Sequence, residues 1–272
     1  MRLLPNRTNS LFGNIPEIYR KKVMKWQTRK IYKESRFLII DDKDGHLGMC
    51  PLRVNIPIDV YEPNKEYLFG GKTEIPINIP DTNQFMFIER NILGFRDRIS
   101  NELLECECQL YNLNYYEVKN NCLYDYVAAC RSLDRKENKK FDMDYKINKI
   151  KSNVALGGYI YIEYYLAIDE KDYKQYPSNQ YLRYGEIEKY FPKEEWTILY
   201  NEVEIIKDDY TPLNRNNDMV AIGYLDVRKI PTPTSKTKKE YKTYVNYNNE
   251  KKIVNHSYTI NGVVRWKLLI IK

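Results

Sequence analysis

The sequence predicts an α/β fold with a mainly parallel central sheet. Arg36-Phe-Leu-Ile-Ile-Asp-Asp42 places four consecutive apolar residues before two acids, a pattern typical of a strand that is buried on both faces. Farther along, a helical pattern over Lys140–Lys151 leads through Leu156-Gly157-Gly158 into the aromatic and β-branched run Tyr159–Tyr165. A strand that follows a helix after so short a connection is typical of a helix packed on such a sheet.

The helix over Lys140–Lys151 is expected to face the sheet with one apolar stripe. Its apolar residues recur near the helical period of 3.6 residues, and they are Phe141, Tyr145, Ile147 and Ile150. Gly157 is expected to end this helix, because glycine adopts a positive φ without a steric penalty.

The remaining elements follow from local pattern. A helix begins near Ile15 with a proline in its first turn and can direct Ile18, Val23, Trp26 and Ile31 toward a core. The other predicted elements are a strand over Ile56–Tyr61, a loop or short hairpin over Lys72–Ile79, a short helix over Asn91–Ile99, a strand over Leu103–Leu110 with Cys106 and Cys108 on one face, a strand over Leu123–Cys130, a short helix over Arg183–Phe191, and a hairpin of Trp196–Ile206 and Met219–Arg228.

Length and composition favour one main domain with an appendage. The chain has 272 residues, of which 43% are hydrophobic and 26 are tyrosine, so it can bury a core. We predict a flexible arm over residues 1–14, an α/β domain over 15–229, and a basic linker with a C-terminal hairpin over 230–272.

Several classes of protein are excluded or disfavoured. No apolar run approaches the roughly 20 residues that span a bilayer, and the N-terminus lacks a signal peptide's apolar core, so we expect a cytoplasmic protein without membrane segments. The five cysteines show no Cys-x-x-Cys spacing and there are two histidines, which indicates neither a disulfide framework nor a zinc site. Buried free thiols are expected instead.

The net charge of +7 is concentrated in two basic segments, residues 20–33 and 229–252. Such segments attract phosphate-bearing partners, because the attraction between opposite charges is long-ranged at low salt. A solvated basic surface without a ligand remains the alternative.

The C-terminus carries a strong hairpin signal. Two β-rich runs, Lys252–Ile260 and Val263–Ile271, flank Asn261-Gly262, the dipeptide preferred in two-residue hairpin turns. Because an isolated hairpin is marginally stable, we expect Trp266 and Leu268–Ile271 to contact another surface. This hairpin either completes the core or docks a partner or covers a substrate site.

Three residues stand at intervals known from nucleotide-binding folds. Asp41 and Gly45 follow the first strand, and Glu62 follows the second strand about 20 residues later, where an acid can accept hydrogen bonds from ribose hydroxyls. Asp41 could instead cap a turn, and Glu62 could be a surface acid before Pro63.

The order of these motifs resembles class I S-adenosylmethionine-dependent methyltransferases over roughly residues 16–230, and the second half resembles the small-molecule and tellurite-resistance-type branch. The resemblance rests on the strand and glycine turn at Asp41, on Glu62, and on the following stretches: Tyr124-Asp-Tyr-Val127, Leu156-Gly-Gly-Tyr-Ile-Tyr-Ile-Glu163, Arg183-Tyr-Gly-Glu-Ile187, and the hairpin of Trp196–Glu202 and Val220–Lys229.

The resemblance implies a Rossmann-like seven-stranded sheet with a reversed last strand and S-adenosylmethionine over the ends of the first strands. Asp41 and Gly45 match the acid and last glycine of the family's D-x-G-x-G turn, and Glu62 matches the ribose-binding acid. Asn112 falls where an acid often lies beside adenine, Asp125 matches the acid that opens the fourth strand, and Arg131, Ser132 and Leu133 line the methyl-transfer site.

Two functions therefore stay open. The first is methyl transfer from S-adenosylmethionine to a small molecule or an RNA, since the tetrapeptide and cysteine motifs of DNA-base methyltransferases are absent. The second is a methyltransferase-like subunit that binds nucleic acid or protein without the cofactor. Lys43 favours the second, because it stands where the family has its first glycine and a positive φ would be costly there. Glu62, Asp125 and Gly157-Gly158 favour the first, which is the function we predict.

Overall fold

The structure is a computed structural model that describes Ser10, residues 15–28, 35–78, 85–166, 181–207 and 219–230, and the backbone of three C-terminal strands within 243–271. The elements in chain order are α1 (Glu17–Gln27), β1 (Phe37–Ile40), α2 (Met49–Leu52), β2 (Ile58–Tyr61), α3 (Lys65–Phe69), β3 (Gly71–Asn78), β4 (Phe85–Ile92), α4 (Phe95–Asn101), β5 (Cys108–Tyr111), β6 (Tyr124–Cys130), α5 (Met143–Ser152), β7 (Val154–Leu166), β8 (Trp196–Lys207), β9 (Met219–Lys229), β10 (Thr243–Asn246), β11 (Lys252–Ile260) and β12 (Val263–Ile271).

Seven of these strands form one sheet in the order β5-β2-β1-β6-β7-β9-β8. The strands from β5 to β7 are parallel, whereas β9 runs antiparallel to both of its neighbours, β7 and β8. The α/β class, the parallel strands and the reversed last strand predicted from the sequence are confirmed. From β1 the sheet continues through β2 and β5 on one side and through β6 and β7 on the other. This reversal of strand order places a crevice beyond the carboxyl ends of β1 and β6.

The sheet is covered on both faces. On one face α1 packs Tyr19, Val23 and Trp26 against Phe37 and Tyr126, and the rings of Trp26 and Phe37 meet edge-to-face at 5.2 Å. On the other face α5 buries apolar residues against alternate positions of the same strands, which are Leu38, Ile40, Val127, Ala129, Ile160 and Ile162. This two-sided burial explains why β1 and residues 126–130 of β6 are continuously apolar or small.

Helix α5 differs from its predicted pattern in two respects. It begins at Met143, so Phe141 precedes the helix, and its buried residues differ from the predicted stripe. Met143, Ile147 and Ile150 are buried, but Tyr145 is 43% exposed. The side chain buried beside the stripe is Lys146, whose Nζ donates to the Leu133 carbonyl oxygen. A long aliphatic stem can lie in a core while its ammonium group reaches an acceptor, so the polarity pattern assigned the wrong neighbour to the core.

Gly157 does not end the helix. Helix α5 ends at Ser152, Asn153 follows, and β7 already begins at Val154. Gly157 has a positive φ of 67°, as expected, but within the strand, where the pairing register with β6 shifts between Tyr124 and Tyr126. The positive φ therefore serves a β-bulge rather than a helix cap.

The segment between β2 and β6 was predicted least accurately. Two of its strands, β3 and β4, form a separate antiparallel pair, so the possible hairpin at Lys72–Ile79 extends to Ile92. Asn91 and Ile92 are therefore strand residues, and α4 begins only at Phe95. The strand predicted over Leu103–Leu110 is limited to Cys108–Tyr111, so Cys106 lies before the strand and does not share a face of it with Cys108. Leu103 adopts a φ of 50° in the turn that ends α4.

Smaller differences concern local order and burial. The predicted helix over Arg183–Phe191 is a 3-10 turn at Ile187–Tyr190. Cys50 and Cys130 are buried free thiols, as expected, but Cys122 is exposed. The predicted core residue Ile18 is only partly buried, and Ile31, the arm apart from Ser10, and the linker over 231–242 lie outside the described residues.

The C-terminal hairpin is confirmed. Its strands β11 and β12 pair antiparallel from Lys252 with Ile271 to Ile260 with Val263. A third strand, β10, which the sequence did not predict, pairs with β11. No helix within the described residues is long and apolar enough to cross a membrane.

Candidate active site at the carboxyl ends of the parallel strands

Three predicted site residues meet at one edge of the sheet. Asp41 directly follows β1, Glu62 follows β2 and Arg131 follows β6. Because parallel strands end on the same side, their polar side chains converge there, and all three are buried. Asn112 follows β5 at the same edge, whereas Asp125 lies near the start of β6, at the opposite edge, where its Oδ2 accepts from the Arg36 backbone N–H (3.3 Å).

The turn after β1 has an unusual backbone. Asp41 and Lys43 have positive φ values of 56° and 58°, and Gly45 has a φ of 89°. Asp42 holds the turn together, since its Oδ1 accepts from the backbone N–H groups of Leu47 (2.7 Å) and Gly48 (3.1 Å). Lys43 thus adopts the left-handed conformation that a glycine would adopt more easily.

The glycine in this turn makes room for a ring of the same chain. A Cβ atom added to Gly45 would lie 2.4 Å from Cδ2 of Phe95, the first residue of α4. Phe95 is completely buried. The absence of a side chain at Gly45 therefore allows the Phe95 ring to pack directly against the backbone of the turn.

Glu62 is buried and accepts four hydrogen bonds. Its Oε1 accepts from the Asn64 backbone N–H (2.8 Å) and from Nη2 of Arg135 (2.6 Å). Its Oε2 accepts from the Lys43 backbone N–H (2.9 Å) and from Nη1 of Arg135 (2.7 Å). A carboxylate offers about four lone-pair positions, so these donors use its full capacity. The two bonds from Arg135 form a bidentate ion pair.

Asp41 completes this charged group. Its Oδ2 accepts from Nδ2 of Asn138 (2.8 Å), and its Oδ1 lies 3.5 Å from Nη1 of Arg135. Burial raises the pKa of Asp41 to about 7, and the negative charge of Glu62 acts in the same direction, while Arg135 opposes both. Two adjacent acids therefore share one buried guanidinium group.

Asn112 and Arg131 also have protein partners. Asn112 Nδ2 donates to the carbonyl oxygens of Glu62 (3.1 Å) and Pro63 (2.8 Å), so it braces the end of β2. Arg131 has a φ of 53°, donates from Nη1 to the Tyr165 hydroxyl (3.1 Å), and places Nε 3.5 Å from Oε2 of Glu163.

The sequence did not single out Arg135, Asn138 or His46, and Glu163 appeared only as the last residue of the Leu156–Glu163 stretch. Arg135 stands 73 residues after Glu62, so spacing along the chain gives no sign of the pair. The one local signal is the charged run from Arg131 to Lys136 directly after a buried strand, where side chains reach the site.

Solved structures with the same architecture were found. TehB from Haemophilus influenzae is 14% identical, with 77% of this chain and 62% of TehB covered and a TM-score of 0.50. YcgJ from Bacillus subtilis is 9% identical over 80% of this chain and 100% of YcgJ, with a TM-score of 0.52. The chain has the class I methyltransferase fold. At such identities the likeness concerns the fold alone, and the chain spans less than two thirds of TehB.

A magnesium protoporphyrin IX methyltransferase from Synechocystis, solved with bound S-adenosylmethionine, is 8% identical over 78% of both chains, with a TM-score of 0.47. That score is too low to support an argument about this chain. No family model matches the sequence, and no curated protein matches it either.

The class I methyltransferase fold raises the question of whether its cofactor fits. Ribose hydroxyls would need the acceptor positions of Glu62 that Arg135 fills, and Phe95 lies against Gly45. Lys43 and Arg131 add positive charge near Glu163, on the side of the crevice toward β7. S-adenosylmethionine carries a sulfonium and an ammonium group as well as a carboxylate, so these cations oppose its two positive groups. The residues present do not fit S-adenosylmethionine in this conformation.

Proposed function

We propose that the chain is a nucleic-acid-binding subunit built on the class I methyltransferase fold, with a nucleotide crevice closed by its own Arg135. The bidentate pair between Arg135 and Glu62 carries this proposal. Its two parallel N–H groups occupy the acceptor positions that the vicinal hydroxyls of a ribose would use. The guanidinium group also balances the negative charge of Asp41. If a neutral ribose replaced it, Asp41 and Glu62 would be neighbouring acids without a counter-charge.

The basic segments support a polyanionic partner. Within residues 20–33, Lys21 and Lys25 are exposed on α1, whereas Lys22 is held by Asp226 (2.6 Å) and lies over the Tyr159 ring. Segment 229–252 adds a dense run of lysines. A protein with these charges binds a nucleic-acid backbone mainly through phosphate contacts and releases counterions when it binds.

Calorimetry with S-adenosylmethionine and S-adenosylhomocysteine tests the closed crevice. We expect no measurable binding at about 1 mM ligand, which corresponds to a binding free energy weaker than about −4 kcal/mol. Micromolar affinity in the wild-type protein would overturn the proposal.

Fluorescence anisotropy with a single-stranded oligoribonucleotide tests the partner. We expect affinity to fall steeply between about 50 and 200 mM salt, and a Lys21→Glu/Lys25→Glu variant to bind more weakly with a smaller salt slope. A matched change at exposed Lys193 and Lys189, which lie outside both basic segments, should have less effect. Absence of binding at 50 mM salt would contradict the nucleic-acid partner.

Methyl transfer to a small molecule or an RNA is the second candidate. It is favoured by the convergence of Asp41, Glu62 and Asn112 at the edge where the fold's ligands bind. It requires Arg135 to leave Glu62. If S-adenosylmethionine binds, Glu62→Ala should weaken binding by about 1.5–3 kcal/mol, since a charge-assisted hydrogen bond is lost.

A further inference from the structure

A second buried cluster lies beside the crevice. It consists of His46 in the turn after β1, Cys130 at the end of β6 and Glu163 in β7. One ligand atom from each of the three residues lies within 4.8 Å of the other two. All three side chains are buried. This juxtaposition depends on three neighbouring strands ending at the same edge.

His46 is a buried polar side chain that lacks hydrogen-bond partners. Neither ring nitrogen of His46 has a hydrogen-bond partner, although the side chain is 1% exposed. A buried polar group without a partner is costly and is usually explained by an ordered water or an ion. The nearest acidic oxygen, Oε1 of Glu163, is 3.9 Å from Nε2 of His46, which is too long for a hydrogen bond.

The spacing and chemistry of the cluster suit a small divalent ion. The Cys130 Sγ lies 3.8 Å from Oε2 of Glu163, close to the 3.9 Å between His46 and Glu163. Tetrahedral zinc, with bonds of about 2.0–2.3 Å, holds its ligand atoms about 3.5 Å apart. These two distances join different carboxylate oxygens, and the three ligand atoms lie within 4.8 Å of one another, so the side chains would move together by up to about 1 Å on binding zinc. Imidazole, thiolate and carboxylate are all ligands that zinc uses.

We propose that His46, Cys130 and Glu163 form a buried zinc site, with water as the fourth ligand. On binding, the Cys130 thiol releases its proton to solvent and the thiolate sulfur bonds to the ion. Thiolate and carboxylate together balance the two positive charges of Zn²⁺, so Arg131 faces a neutral centre rather than a dication. Tyr161, whose hydroxyl donates to Oε1 of Glu163 (3.2 Å), orients the carboxylate.

Such a site would tie the turn after β1 to β6 and β7. The zinc site requires neither S-adenosylmethionine nor nucleic acid, so its test is separate from the test of the proposed function. Spacing along the chain does not indicate this site, because its ligands are separated by 84 and 33 residues rather than arranged in a short zinc-binding motif.

Cobalt substitution of the full-length protein tests the proposal. Titration of the metal-free, reduced protein with Co²⁺ should give one equivalent bound, with a thiolate-to-cobalt charge-transfer band and visible bands typical of tetrahedral geometry. Zn²⁺ should displace the cobalt and abolish both the charge-transfer band and the visible bands. A wild-type protein that shows no thiolate band, or takes up no Zn²⁺ in competition with a chromophoric chelator, overturns the proposal.

Variants locate the ligand. Cys130→Ser should remove the charge-transfer band and weaken Zn²⁺ binding by more than about 100-fold, and His46→Gln should weaken it similarly. Cys122→Ser and Cys50→Ser are matched controls, one thiol exposed and one buried, and should leave the spectrum unchanged. A band that persists in folded Cys130→Ser, or disappears in Cys122→Ser, would place the metal elsewhere. Because His46→Gln tests the same site through a different ligand, a Cys130→Ser variant that fails to fold does not leave the location open.

Discussion

Arg135 and the buried Glu62 form a part-buried bidentate ion pair, with Nη1 2.7 Å from Oε2 and Nη2 2.6 Å from Oε1. The pair joins the segment after β6 to the end of β2, across the carboxyl end of β1. Asp41 lies on the same guanidinium group. The carboxylate that was predicted to accept hydrogen bonds from a ribose is thus paired with a cation of the same chain, and the predictions on Arg135 and Asp41 depend on that contact.

Arg135→Ala should destabilise the protein by about 3–5 kcal/mol, because it leaves Glu62 and Asp41 as neighbouring buried acids without a counter-charge. Urea unfolding measures the loss. Arg135→Lys should lose less, since it keeps the charge without the two-pronged geometry. The exposed Arg96 provides the control, and Arg96→Ala should change stability by less than about 1 kcal/mol. Equal effects at the two positions would contradict the importance of the pair.

Stability should fall as the pH rises from about 4 to 7. Burial raises the pKa of Asp41 and of Asp134 to about 7, whereas the same groups in the unfolded chain titrate near 4. In this window the folded state holds protons that the unfolded state has released, so raising the pH favours unfolding, by up to about 4 kcal/mol per group.

Asp41→Asn removes one of these two titrations and can still accept the hydrogen bond from Asn138. We expect the variant to match the wild type near pH 4 and to exceed its stability at pH 8, with a shallower pH dependence between. Thermal unfolding across this range checks the prediction, and Asp134→Asn provides the second measurement. A pH profile unchanged in both variants would show that neither carboxyl group retains its proton.

Lys43→Gly should stabilise the turn after β1 by about 1 kcal/mol, because glycine adopts the observed φ of 58° without steric cost. Lys43→Ala separates this effect from the loss of the charge, since alanine keeps the Cβ atom and the strained conformation. Chemical denaturation of both variants measures the difference. If alanine stabilised as much as glycine, the gain would come from the charge and not from the backbone.

Gly158→Ala should cost about 2–4 kcal/mol. Its Cβ would lie 2.7 Å from the Ala155 carbonyl oxygen and 3.1 Å from that of Asp125, where backbone cannot easily shift. Gly185 is the matched control: its φ is 76° but nothing lies within 4 Å of an added Cβ, so Gly185→Ala should cost only about 1 kcal/mol. Denaturation midpoints compare them, and similar losses would argue against close packing at the bulge.

Deletion of residues 231–272 should leave a folded domain, because the seven-stranded sheet is completed by β9, which ends at Lys229. Circular dichroism and a cooperative unfolding transition provide the measurement. The deletion should also weaken oligoribonucleotide binding, since it removes most of the second basic segment. Loss of soluble, cooperatively folding protein would show instead that the C-terminal strands complete the core.

Local pattern was sufficient for the fold class and for most strands of the central sheet, but not for the segment between β2 and β6 or for β10. The run Phe37–Ile40 is apolar because both faces of β1 are covered, and the period of α5 reflects its packing on one side of the sheet. The positions of Asp41 and Glu62 after their strands follow from the same pattern. Hydrophobic periodicity predicts helices and strands because the apolar residues that an element buries recur within a short stretch of the sequence.

Only the tertiary structure decided which side chains meet at the carboxyl edge. Arg135 reaches Glu62, and His46 lies beside Cys130 and Glu163, because crossover connections place β1, β2, β6 and β7 in an order that differs from their order in the chain. Tyr145 and Lys146 likewise exchanged their expected burial through contacts outside the helix. A side chain that reaches the site from a distant segment of the chain produces no periodic pattern in the sequence. Its charge and its distance from the other site residues nevertheless determine which ligands the site can accept.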